Sequence, residues 1–154
     1  MENAVFEDRA KYKYLIFLLG GETYGTPLLN VREVIENKEA KPVPNSDMAF
    51  EGVINLRGDV IGVVDLRKIL KVEPRQSLSI LVFESEMGTL GGIVDRCMSV
   101  TEIPESAVDK ASSMGKRDGA NYLLGIGKTS EGLVTLIDLV QVTKLLNSAG
   151  AQRG

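Results

Sequence analysis

Short apolar runs closed by glycine turns constrain this chain more than any other feature. Tyr14-Leu-Ile-Phe-Leu-Leu19 ends at Gly20-Gly21 and reads as a buried strand followed by a turn. Glu22 to Leu29 is the returning strand, bent by Gly25 and Pro27. Gly52-Val-Ile-Asn-Leu-Arg57 and Val60-Ile-Gly-Val-Val64 flank Arg57-Gly58-Asp59, the pattern of a hairpin. Asn30 to Glu36 reads as a short helical turn opened by Asn30, because Val31, Val34 and Ile35 fall at helical spacing. Lys41 to Asn45 is extended and ends in a turn, and Asp65 caps a short helix over Leu66 to Leu70.

The second half repeats the first in pattern. Ser79-Ile-Leu-Val-Phe-Glu84 parallels Tyr14 to Leu19, and Gly88 to Val100 parallels Tyr24 to Ile35. Gly132 to Asp138 parallels Gly62 to Asp65, and both run through Asp-Leu into an amphipathic segment, the second being Leu139 to Leu146. The offset is 65 residues from Tyr14 to Ser79 and 73 from Asp65 to Asp138, and the Pro104 to Ala120 linker supplies the difference. A repeat of about 70 residues points to two copies of one small β unit. Each alone has a thin core, so packing the two together buries a shared face and leaves a groove at their junction.

The residues that are missing exclude most chemistry. With no histidine there is no Ser–His triad and no histidine metal site, and a single cysteine, Cys97, forms neither a zinc cluster nor an internal disulfide. Gly125-Ile-Gly127 lacks the third glycine of a dinucleotide fingerprint. A net charge of -3 and the absence of tryptophan give no footprint for nucleic acid. The longest apolar run, Leu15 to Leu19, is too short to cross a bilayer, and Met1 to Lys13 carries no signal-peptide core. The expectation is a cytoplasmic binding protein without metal or cofactor.

The stretch Glu51-Gly-Val-Ile-Asn-Leu-Arg-Gly-Asp-Val-Ile-Gly-Val-Val-Asp-Leu-Arg67 resembles the signature hairpin of CheW-like domains. Tyr24 to Ile35, Val43-Pro44-Asn45, Gly92 to Arg96 and Gly125 to Leu146 are similar to the family's other segments, in the same order. Gly62 departs from the pattern by standing where the family usually has proline, and Cys97-Met98 replaces an apolar pair. The resemblance implies a mainly β domain over residues 14–147, built of two small five-stranded SH3-like β-barrels with short helices and a C-terminal helix. The barrels are expected over 14–71 and 78–147, between flexible termini at 1–13 and 148–154. It further implies a non-enzymatic adaptor, recruited to receptor arrays at the inner membrane. The partners that the resemblance implies are the CheW-like regulatory domain of the histidine kinase CheA and the cytoplasmic tip of chemoreceptors.

The site residues that the resemblance implies are Val31, Glu33, Val34, Gly52, Asn55, Arg57 and Gly58. By pattern alone Arg57 is a loop arginine in solvent; the resemblance pairs it with Glu33. Gly58 supplies a positive φ in the turn, Gly52 permits a bend, and Asn55 either bonds backbone near the turn or faces solvent. The stripe of Val31, Val34 and Ile35 is core by spacing, whereas the resemblance sets it beside the groove. Cys97 is an inert buried thiol, and Glu105 to Gly119 a solvated loop. Two rivals stand beside this reading: a similar adaptor in a pathway controlling pili or gene expression, and a carboxylate hydrolase built from Asp59, Asp65 and Asp95.

Overall fold

The structure is a computed structural model describing residues 12–44, 46–111 and 121–152, with the backbone alone for 147–152. In chain order the strands are β1 (Lys13–Leu19), β2 (Glu22–Pro27), β3 (Val31–Glu36), β4 (Phe50–Leu56) and β5 (Asp59–Asp65), followed by helix α1 (Leu66–Leu70). Then come β6 (Ser79–Ser85), β7 (Gly88–Val94), β8 (Arg96–Glu102), β9 (Val108–Lys110), β10 (Leu123–Thr129), β11 (Gly132–Ile137) and helix α2 (Leu139–Gln152). The fold is mainly β, as expected.

The strands form two sheets, ordered β8-β1-β2-β11-β10-β9 and β3-β6-β7-β5-β4. The repeat is visible in this order, but its halves are exchanged. Each sheet takes its leading hairpin from one repeat and its other strands from the other: β1-β2 joins four strands, β8 to β11, and β6-β7 joins three, β3 to β5. The join is parallel in both cases, β2 with β11 and β7 with β5. The expected division into residues 14–71 and 78–147 is therefore corrected: β1 and β2 belong with β8 to β11. Pairing across repeats satisfies the edges of both leading hairpins at once.

Both sheets curl. Beyond β3, Lys41 forms a bridge with Val53 on the opposite edge strand, β4. In a flat sheet Lys41 would sit about 24 Å from β3 at normal strand spacing. The segment from Glu36 to Lys41 spans at most about 18 Å. In the other sheet Ile103, just after the edge strand β8, reaches to within 3.1 Å of a Cβ placed on Gly127 of β10, so that sheet curls too. Among the described residues no ladder joins the outer strands of either sheet, and both strand orders stay open.

Three apolar clusters follow from this shape. One lies inside the curl of the β3–β7 sheet and includes Ile54, Val63 and Ile80. A second lies inside the other sheet, around Ile103 and Leu136. The largest fills the space between the sheets, where Phe17 and Leu19 meet Leu81, Phe83 and Val94 beneath Leu66 and Leu139 of the two helices. Asp65 caps α1, its Oδ1 accepting from the Arg67 amide at 2.9 Å, and Asp138 caps α2 in the same way through Val140 at 2.9 Å.

Some local expectations change. Residues 31–36 form strand β3, preceded by a 3-10 turn at Leu28–Asn30, so the helical reading is wrong there. A bulge between Val31 and Glu33 offsets the alternation of faces and mimics helical spacing. Part of the linker expected as a solvated loop is strand β9, and Ala111 after it is buried. Lys13 pairs with Glu102 inside the sheet, and α2 continues through residues expected to be a loose tail. The remaining flexible-segment expectations, at residues 1–11, 112–120 and 153–154, lie outside the described residues, as does Asn45.

Candidate interaction site

The signature hairpin is β4-β5, and its tip is built from its own sequence. Arg57 and Gly58 occupy the two central turn positions with φ of 51° and 92°, the left-handed pair that matches the twist of a two-residue hairpin. Gly58 meets that demand as a glycine should; Arg57 does so as a strained non-glycine. Two contacts hold the tip. The Gly58 amide donates to Asn55 Oδ1 at 2.9 Å, and Lys38 Nζ donates to the Asn55 carbonyl at 2.9 Å. Asn55 thus takes the first of its two alternatives.

Arg57 Nη2 donates to Glu33 Oε1 on β3. The two side chains come from the opposite ends of one sheet, and the curl brings them together. The arginine side chain is 66% exposed and the glutamate 27%, so the pair lies at the surface.

Below this tip opens a groove of about 1450 Å³. Its apolar wall includes Phe50, Leu56, Val60, Leu90 and Leu146, and Arg32, Arg57 and Asp59 add charge. Gly62, the departure from the family pattern, lines it; a Cβ there would lie 3.0 Å from the Phe50 ring. The missing side chain is therefore groove space.

The other expected site residues divide by exposure. Val34 is 40% exposed on β3, while Val31 is partly buried and packs on the cluster between the sheets. Gly52 is buried at a bulge with φ of 139°, and a Cβ there would lie 2.0 Å from the Lys41 carbonyl oxygen. Its place is in shaping the hairpin, since it offers no surface. Gly125 occupies the equivalent bulge in β10, with 2.4 Å to the Asp109 carbonyl oxygen.

Asp59, Asp65 and Asp95 are not brought together. Asp59 and Asp65 begin and end β5, about 20 Å apart at normal strand rise. Asp65 and Asp95 are buried and occupied by Arg67, a residue sequence reasoning passed over. Arg67 Nε donates to Asp65 Oδ1 at 2.7 Å and Nη2 to Asp65 Oδ2 at 3.1 Å. Nη1 donates to Asp95 Oδ1 at 2.9 Å and to the Arg75 carbonyl at 2.7 Å, and Nη2 to Ser77 Oγ at 2.6 Å. Burial opposes the charge, but the hydrogen bonds and charges of Asp65 and Asp95 outweigh it and hold the guanidinium pKa above its ordinary value. The signal in the sequence was Asp-Leu-Arg itself, a cation two residues past a capping carboxylate.

The sequence profile of the CheW-like domain matches residues 13–147. The chain belongs to the CheW-like family. The chemotaxis protein CheW of Thermotoga maritima is 31% identical over 150 residues, covering 94% of this chain and 93% of its own. CheW of Helicobacter pylori is 29% identical over 135 residues, with coverages of 86% and 81%. Protein FrzA of Myxococcus xanthus is 29% identical over 146 residues, with coverages of 92% and 89%. Among solved structures, the scaffolding protein TtCheW of Thermoanaerobacter tengcongensis matches with a TM-score of 0.76 at 28% identity, over 87% of this chain and 93% of that one. The two-sheet arrangement is thus that of a CheW fold. Among the described residues no helix is long and apolar enough to cross a membrane.

Proposed function

We propose that this chain is a non-enzymatic adaptor that couples chemoreceptors to the histidine kinase CheA. The observation that carries the reading is the match to the CheW-like domain across both sheets, with the Arg57 hairpin held in a set conformation beside an apolar groove. A scaffold works by holding partners at a fixed geometry and raising their effective concentration, and it needs surface in place of converging catalytic groups. The exposed candidates for contact are Val34, Asn55, Arg57 and Gly58, with Glu33 orienting Arg57; Val31 and Gly52 shape the surface from beneath.

The partners in this reading are the CheW-like regulatory domain of CheA and the cytoplasmic tip of a chemoreceptor. The adaptor acts in the cytoplasm and joins receptor arrays at the inner membrane. The test is a titration of the chain with the host's CheA regulatory domain and, separately, with a receptor-tip fragment. Saturable binding to both supports the reading. Binding to neither overturns it.

A further inference from the structure

The chain crosses between the two sheets at equivalent places in the two repeats, and the crossings are built differently. One is the 3-10 turn Leu28–Asn30, between β2 and β3. The other is the single residue Asp95, between β7 and β8. Asp95 touches both sides. Its amide donates to the Leu18 carbonyl at 3.0 Å and its carbonyl accepts from the Leu78 amide at 2.8 Å. Its Oδ2 accepts from the Gly21 amide in the β1–β2 turn at 2.8 Å, while Oδ1 holds Arg67.

Arg67 closes this node. A guanidinium has five N–H donors, and the five bonds described above use all of them. They reach the end of β5 (Asp65), the crossing (Asp95) and the connector between the repeats (Arg75 and Ser77). Asp65-Leu66-Arg67 corresponds in the other repeat to Asp138-Leu139-Val140, so the counterpart of Arg67 is a valine. There the structure has an open crevice of about 390 Å³, lined by Leu29, Asn30 and Val140 together with Arg32 and Glu84.

We propose that Arg67 is the positioning residue of the domain: it pins the two sheets at the Asp95 crossing, and the Leu29–Val140 side is the compliant one. A buried, fully bonded ion cluster resists displacement because every broken contact strands a desolvated charge. Among the described residues the other crevice holds no such buried cluster: Arg32 and Glu84 pair there with side chains more than half exposed, and both belong to one sheet. A partner that touches both sheets meets an angle set by Arg67, and any change of that angle pivots about the pin. This inference does not depend on which partner binds.

Native-state amide exchange of the unmodified protein tests it without a variant. The Gly21 and Asp95 amides should exchange at least on the order of tenfold slower than the Val31 amide, which donates to the Leu28 carbonyl across the other crossing. Equal or faster exchange at Gly21 and Asp95 overturns the proposal. A second reading uses spin labels at Val60 and Leu133, exposed on different sheets, in a Cys97→Ser background. One narrow distance is expected, broadening or splitting in folded Arg67→Lys or Asp95→Asn. An unchanged distribution in either folded variant overturns the pin. Should neither fold, the exchange comparison decides.

Discussion

Arg57, at the tip of one hairpin, is ion-paired with Glu33, on the strand at the far edge of the same sheet. The contact exists because the sheet curls, and it ties the signature hairpin to β3. It is also exposed, which bounds its energy: a surface pair contributes ~0–1 kcal/mol. Arg57→Ala should therefore lower stability by no more than about 1 kcal/mol in a urea titration. Its effect on partner binding should exceed its effect on folding. A much larger loss of stability would mean that the pair is a structural brace, and the hairpin reading would fail.

The buried bulge glycines should behave differently from the turn glycine. Gly52→Ala puts a Cβ into the Lys41 carbonyl oxygen at a φ of 139°, so something in the backbone must move. A cost of about 2–4 kcal/mol is expected from such strain. Gly58→Ala has a positive φ but open space around the added atom, and should cost roughly 1 kcal/mol. Thermal melts of the two variants check the order; a Gly58 variant as damaged as the Gly52 variant would contradict it.

Removing the central cation should be the most damaging change of charge. Arg67→Met leaves Asp65 and Asp95 buried without their partner, and breaking such a cluster costs about 3–5 kcal/mol. Lys68→Met breaks an exposed pair with Glu51 one residue away and should cost less than about 1 kcal/mol. Chemical denaturation of both variants provides the comparison, and similar losses would refute the account of the node.

Much of this fold was legible. The apolar runs closed by glycine became strands, Asp65 became a cap, and Asn55 and Gly58 took the turn roles their chemistry suggests. Three features were not legible, for physical reasons. The bulge at Val31 shifted the faces of β3 and imitated a helix. Exchange of strands between repeats leaves the sequence period unchanged, so the repeat was readable but its pairing was not. Arg67 followed a capping aspartate, and its partner Asp95 lies 28 residues along the chain, beyond any local pattern. In the candidate site, the Arg57–Glu33 pair came from family resemblance, because no local rule brings β3 to that hairpin.

Burial raises the pKa of the Cys97 thiol, which is half-buried against the cluster between the sheets. A raised value means less thiolate at any given pH in the folded state than in the unfolded chain. Alkylation at neutral pH should be slower in native buffer than in denaturant, and should quicken as pH rises above the ordinary thiol range. Native reactivity equal to that of the unfolded chain would show that the thiol is freely hydrated.

Val34 is the better probe of the β3 surface, since Val31 is tied into the core. Val34→Asp should leave the melt within about 1 kcal/mol of the parent, as expected of an exposed position. It should weaken receptor-tip binding, because a carboxylate must be desolvated against an apolar partner. Full receptor affinity in the folded variant would remove this strand from the contact surface.

The central claim is that one copy of this chain holds two partners at once. The direct measurement is retention of the CheA regulatory domain on an immobilised receptor-tip fragment, with and without the chain. The account predicts that retention rises and saturates as the chain is added. Retention that is independent of the chain, or partners that displace one another from it, would contradict the claim.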